Sequence, residues 1–317
     1  MAVVVLSIPY FTITELIYPV KRDSVFFRAV QLDYEQRVRE GSRDPGKFFL
    51  YHPRQLKLDV TDLEIAMNDR VLLKAWYVRD SAWSPETTVI IIPDLNESRI
   101  DNIIAASELS SRGFNVCLPD MRGQGASGGK FYTLGELAVQ DLLYVMDMLR
   151  KSFNTENFIL MGNGTGASIA MQTCIADTAV KIAVIQNSFL NISQYVHDYA
   201  QSKYGIAGKF FLNRMIKKLE RETGIRADSL NLAETVQQLT DPALFISYIS
   251  EQFLDYKSTE KLYTSCASLR KEWIVFKKEY TEQNAEERKK YFDRIAAFCN
   301  SHLPKKIRKP SKFRKLV

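Results

Sequence analysis

Short runs of β-branched residues alternate with amphipathic stretches along residues 57–300, and that alternation limits the possible folds more than any other feature. The run Val89-Ile90-Ile91-Ile92 is too short for a helix and apolar throughout, as a strand covered on both faces has to be. Residues 99–112 then read as a helix that stops at Gly113, which takes the left-handed backbone of a helix end at no steric cost. The rhythm repeats with a strand over 114–119, a helix over 133–151, a strand over 157–161, a helix over 165–176 and a strand over 180–186. Residues 190–240 interrupt it: they are helical, polar, rich in Lys, Glu and Tyr, and hold no convincing strand. Strand and helix resume over 243–248, 258–268, 272–276 and 286–299. Ahead of the series, residues 63–67 and 71–78 are apolar runs joined by Asn68-Asp69-Arg70, a hairpin signal. Strands separated by helices pair in parallel and carry helices on both faces. The expectation is an α/β chain with a mostly parallel eight-stranded sheet, antiparallel at its start. Its parts are an N-terminal extension (1–56), a sheet domain (57–301) with a helical cap (190–240), and a basic tail (302–317).

The composition, 46% hydrophobic and 25% charged over 317 residues, supplies an ample core and excludes a disordered or collagen-like chain. The net charge of +6 is local. Lys305, Lys306, Arg308, Lys309, Lys312, Arg314 and Lys315 crowd the tail with no acid among them, and the rest of the chain is close to neutral. Cys117, Cys174, Cys266 and Cys299 are far apart, with no CxxC and no His at ligand spacing, so reduced buried thiols are expected and no metal.

Four motifs fall in a telling order. Pro119-Asp120-Met121-Arg122-Gly123-Gln124-Gly125-Ala126-Ser127-Gly128 follows the fourth strand, with glycines where a tight turn needs them. Leu160-Met161-Gly162-Asn163-Gly164-Thr165-Gly166-Ala167 joins the fifth strand to its helix, and its spacing fits neither phosphate-loop pattern. Asn187-Ser188-Phe189 precedes the helical insertion, and Asp241-Pro242-Ala243-Leu244-Phe245-Ile246 opens the seventh strand. Together these resemble the bacterial α/β hydrolases of the serine-aminopeptidase and prolyl-oligopeptidase-like kind. The resemblance implies the fold of that superfamily, with the nucleophile elbow at residues 162–166.

It also implies a Ser–His–acid triad, which this chain lacks at the corresponding places. The nucleophile's place is Gly164, which has no side chain; the acid's place falls on Glu251; a gapless count puts the base at Thr281, with no His beside it. The chain's three histidines are His52, His197 and His302. Loss of the nucleophile or base of a serine protease costs about 10⁶ in kcat, roughly 8 kcal/mol of barrier. Where the family often has His-Gly after the third strand, this chain has Pro93-Asp94-Leu95-Asn96. The N–H groups near Leu95 and at Thr165 are the candidates for an oxyanion hole, and an Asp94 carboxylate beside them opposes the negative charge such a hole stabilises. Asp94, Leu95, Asn96, Asn163 and Thr165 are therefore candidate cleft residues, and Asp120, Arg122, Gly123 and Gly125 a structural loop.

These readings converge on an α/β-hydrolase-like chain without catalysis, binding a small molecule, peptide or protein partner in its cleft and needing no cofactor. An active hydrolase with an unorthodox constellation is the alternative. A third reading is a membrane-surface adaptor. It rests on the basic tail, suited to anionic lipid more than to nucleic acid, and on residues 1–20, apolar but interrupted by Pro9 and Glu15. The expected location is cytoplasmic, with peripheral membrane association or a poor anchor through residues 1–20 as the variant.

Overall fold

The computed structural model describes residues 52–79, 86–95, 97–223, 225–227, 230–249, 254–277 and 284–304. Asn96, Glu251, Thr281, the basic residues from Lys305 to Lys315 and residues 1–51 lie outside the described residues.

Eight strands form one sheet: β1 (Asp59–Ala66), β2 (Leu72–Arg79), β3 (Thr87–Ile92), β4 (Asn115–Asp120), β5 (Asn157–Asn163), β6 (Val180–Gln186), β7 (Ala243–Tyr248) and β8 (Lys271–Phe276). Their spatial order is β1-β2-β4-β3-β5-β6-β7-β8. β2 runs antiparallel to β1 and β4, and the remaining pairs are parallel. The edge strand β1 alternates, with Leu63 and Ile65 buried and Asp62 and Glu64 exposed, which pins its register on β2. Inner strands have no wet face. Val89 and Ile91 enter one core and Ile90 and Ile92 the other, the period of two that makes the run read as unbroken apolar.

The two cores match two helical layers. Helices α1 (Ile103–Ser110) and α8 (Ala285–His302) cover one face, where Ala106 and Leu109, with Phe292 and Ile295, pack on Val116, Ile159 and Leu244. Helices α2 (Glu136–Phe153), α3 (Thr165–Ala176) and α7 (Tyr256–Ser265) cover the other, where Leu142, Ile169 and Leu262 meet Leu160 and Phe245. Each Val, Leu, Ile or Phe side chain among them taken out of water contributes about 1.5–3 kcal/mol before chain entropy is set against it. The four cysteines are buried free thiols.

One expected helix is divided. Residues 99–112 open as a 3₁₀ turn, Arg99–Asn102, before α1 begins. One bond is local and one is not: Asp101 Oδ2 accepts the Ser98 N–H at 2.9 Å, and Asp120 Oδ1, from the end of β4, accepts the Arg99 N–H at 2.8 Å, which fixes the first turn outside α-helical pairing.

Between β6 and β7 the chain forms α4 (Ile192–Tyr204), a 3₁₀ segment (Gly205–Phe211), α5 (Leu212–Thr223) and the short α6 (Leu232–Thr235). Asn191 starts α4 by accepting the Gln194 N–H at 2.8 Å, and the Leu232 N–H returns to the Leu190 carbonyl at 2.8 Å, closing the base of the insertion. Tyr195, Val196, Met215 and Leu219 join the core beneath, so the insertion is packed down as a cap. Among the described residues no helix is long and apolar enough to cross a membrane.

Candidate functional site

The site begins where β5 turns into α3. Gly164 sits at this turn with φ +51° and ψ −112°, and its N–H donates to the Gln186 carbonyl at 3.0 Å. A side chain is disfavoured there by the left-handed φ and by space: a Cβ would lie 2.5 Å from both oxygens of Asp94. Gly166 answers a different need, since a Cβ there would come within 2.3 Å of the Ile92 carbonyl oxygen, so α3 approaches β3 only through a bare backbone.

Asp94 follows β3 and faces that turn. Its Oδ1 accepts the Leu95 N–H at 2.8 Å, the Thr165 N–H at 2.7 Å and the Thr165 hydroxyl at 2.7 Å. The two backbone donors are the pair that the sequence marks for an oxyanion, and here they close on a carboxylate of the chain itself. The N-terminal end of α3 adds its partial positive charge to the same oxygen. Burial raises the Asp94 carboxyl above the usual carboxylate range, and the hydrogen bonds from Thr165 and Leu95 oppose that rise.

Neighbours hold Asp94 in place. Its N–H donates to Glu97 Oε2 at 3.0 Å, and its carbonyl accepts both the Glu97 N–H at 3.0 Å and Gln124 Nε2 at 2.6 Å. Burial, with the negative charge of Asp94 second, pushes Glu97 up to about 7. Tyr132 completes the chain by donating its hydroxyl to Thr165 Oγ1 at 3.1 Å. Asn163 stands at the end of β5 and accepts from Asn187 Nδ2 at 3.4 Å, facing β6.

The loop after β4 is occupied with its own architecture. Asp120, 1% exposed, accepts the Arg99 and Ala126 N–H groups and pairs with the Arg99 guanidinium at 3.2 Å. Arg122 clamps buried Asp141 through two bonds, at 2.9 and 2.8 Å, and reaches Asp69 in the β1–β2 turn. Gly123 and Gly125 have positive φ, and a Cβ on Gly125 would run into the Asp120 carboxylate at 2.3 Å.

Between the sheet loops and the cap lies a small apolar cleft, lined by Leu95, Tyr132, Leu134, Ile192, Tyr195 and Leu219 among others. Sheet loops supply one wall and α4 and α5 the other. Sequence reasoning found Leu95 but not Tyr132, Leu134, Tyr195 or Leu219, which lie 37 to 124 positions along the chain from it and share no motif. Tyr195 could have been flagged only as an aromatic on the apolar side of a cap helix, a signal that core residues give equally.

The three histidines are engaged elsewhere. His52 accepts the Arg54 N–H and packs edge-on against Trp76, His197 bonds Asp198 at 3.0 Å, and His302 packs on Phe298. Ser188 is fully buried, its N–H bound to Thr259 Oγ1 at 3.0 Å. Among the described residues no group of three or more His, Cys, Asp or Glu is placed to hold a metal.

Residues 84–240, from β3 through the cap, match the serine aminopeptidase family S33. No curated protein matches the chain in sequence. Among solved structures, an esterase from Pyrococcus furiosus superposes with a TM-score of 0.66 at 18% identity, over 80% of this chain and 95% of its own. The α/β hydrolase GrgF from Penicillium sp. sh18 gives 0.61 at 18% identity, over 77% and 99%. Acetyl xylan esterase 1 from Thermoanaerobacterium sp. gives 0.57 at 14% identity, over 76% and 84%. At such identities the structures speak for fold alone. The chain belongs to the α/β-hydrolase superfamily.

Proposed function

We propose that this protein is a catalytically inactive member of the superfamily, which keeps the cleft between sheet and cap as a binding site for a small molecule, peptide or protein partner. One observation carries the reading. Asp94 Oδ1 takes the N–H groups of Leu95 and Thr165, so a tetrahedral oxyanion would have to displace a bound carboxylate from these two backbone donors. Gly164 supports it, because the nucleophile's position has no side chain and no room for one while Asp94 is in place.

A second reading, an active hydrolase with an unorthodox constellation, draws on the hydrogen-bonded series Tyr132–Thr165–Asp94, where a carboxylate accepts directly from a hydroxyl. Against it, Thr165 is fully buried and its hydroxyl is committed on both sides. The test is turnover of ester and aminopeptide substrates, with fluorophosphonate labelling, on the purified chain beside Thr165→Ala. The expected result is no turnover and no label in either. Turnover that follows the polypeptide through purification and disappears in Thr165→Ala would replace the first reading with the second.

A further inference from the structure

The cap carries an exposed apolar edge that its own packing does not use. Ile206 and Phe210 are 78% and 83% exposed, and among the described residues the one large apolar side chain more open to water is Leu269, in the loop before β8. The cause is the way the 3₁₀ segment Gly205–Phe211 sits on α4. Gly208 is buried there, where a Cβ would stand 2.5 Å from the Ala200 carbonyl oxygen. With three residues per turn, seating Gly208 on α4 turns Ile206, Lys209 and Phe210 away from it, and all three are exposed.

The segment passes directly into α5, whose two sides differ. Met215 and Leu219 belong to the core and Ile216 packs against it, whereas Asn213, Arg214, Lys217 and Arg221 are exposed. Steps of four, three and four lead from Phe210 through Arg214 and Lys217 to Arg221, which keeps them on one helical face. The apolar edge therefore runs on into a basic one. Residues 201–221 hold six bases against a single acid, Glu220, whose Oε1 is taken by the Ala227 N–H at 2.9 Å.

We propose that this outer face of the cap docks on an anionic lipid surface, with Ile206 and Phe210 entering the boundary of headgroups and acyl chains and Lys209, Arg214 and Lys217 on lipid phosphates. A protein partner would need a pocket shaped to two projecting side chains, whereas a fluid bilayer closes around them without prior complementarity. Charge selects the kind of membrane, because each base near an anionic surface adds to the attraction. Long Lys and Arg stems reach the phosphate level while the apolar tips go deeper. Leu219, on the opposite side of α5, lines the cleft, so this surface is separate from the binding site proposed above.

The test is co-sedimentation of the full chain with vesicles of phosphatidylcholine alone and of phosphatidylcholine mixed with phosphatidylserine. Binding is expected only to the mixed vesicles, weakening as salt rises. Ile206→Ser with Phe210→Ser removes the apolar tips, and Lys209→Gln with Arg214→Gln and Lys217→Gln removes the charge. Each set is expected to lose at least about tenfold in affinity. These side chains are exposed, so both sets should melt with the unaltered chain. Phe210→Trp reports insertion directly: its emission should move to shorter wavelength on mixed vesicles, beyond any change in the unaltered chain. The basic tail is present throughout, so mixed-vesicle binding that survives both sets belongs to another part of the chain and overturns the proposal. Equal binding to both vesicle types, failure of the unaltered chain to bind, or an unmoved emission in Phe210→Trp overturns it as well. Failure to bind together with self-association that the Ser pair abolishes would reassign the face to contact between copies. Ester turnover on the same preparation bears on the cleft alone, so the two proposals fail separately.

Discussion

Asp94 and Gly164 share one space: a Cβ on Gly164 would stand 2.5 Å from both carboxylate oxygens of Asp94, less than any real contact of that kind. Two residues 70 positions apart in sequence are thus fitted to each other, and each makes sense only in the other's presence. Any side chain at residue 164 requires the space that the carboxylate fills, and the carboxylate as placed tolerates only glycine opposite.

Gly164→Ser is therefore expected to destabilise the chain by about 2–4 kcal/mol, through overpacking and a left-handed φ of +51°. Asp94→Gly in the same chain should return much of that loss. A double-mutant cycle in urea measures the coupling, expected at about 1–3 kcal/mol. Simple additivity of the two changes would show that they do not compete for one space.

Arg122 anchors the loop after β4 to α2, and Asp141 beneath it is 2% exposed. Arg122→Ala leaves that carboxylate buried and unpaired, at a cost of about 3–5 kcal/mol. Replacing Asp141 by Asn as well should restore part of the stability, since a neutral amide is cheaper to bury alone. Equal melting temperatures for the single and double variants would contradict this.

Stability should fall as pH rises across the weakly acidic range. Glu97 is raised from 4.5 to about 7, chiefly by burial, so between those values the folded state binds more protons than the unfolded chain. Folding is then favoured toward the lower end of the window and progressively less so up to about 7, and Asp94, shifted in the same direction, adds to the slope. Glu97→Gln keeps the acceptor for the Asp94 N–H and removes the titration. Against that variant, the unaltered chain should lose on the order of 1–3 kcal/mol between about pH 5 and about pH 8 in urea unfolding. Parallel pH profiles would show that Glu97 titrates normally.

The cysteines should be silent toward thiol reagents in the folded state. All four are buried, and burial alone pushes Cys299 up to about 12. Disulfide-exchange reagents at neutral pH are expected to count no thiols before unfolding and four after it. Rapid reaction of even one in the native chain would indicate local opening around it.

The order of elements was legible because it depends on short-range patterns. Residues 165–176 read as a helix and 180–186 and 243–248 as strands from sequence, and the structure returns those bounds. An inner strand must be apolar on both sides, and Val89 to Ile92 shows that directly. The motifs fixed the superfamily by the same kind of signal, since a glycine needed for a turn or a close approach leaves its mark in one short stretch. Where sequence reading gave one helical stretch over residues 99–112, the structure divides it into a 3₁₀ turn and α1, and one of the two bonds responsible comes from Asp120 at the end of another strand, which no local pattern contains.

The site was legible only in part. Sequence alone determined that Gly164 offers no nucleophile, that Asp94 follows β3, and that histidines are few. It placed the N–H groups of Leu95 and Thr165 and the Asp94 carboxylate in one neighbourhood, without deciding who bonds whom. Tertiary structure decided that, by bringing the ends of β3 and β5 side by side in the sheet and setting the start of α3 against the loop after β3. It also drew Tyr132 from one loop and Tyr195 from the cap to the same cleft. The physical reason is range: helix, strand and turn preferences act over a few residues, whereas a hydrogen bond between residues 94 and 165 exists only after the sheet has paired and the helix has packed.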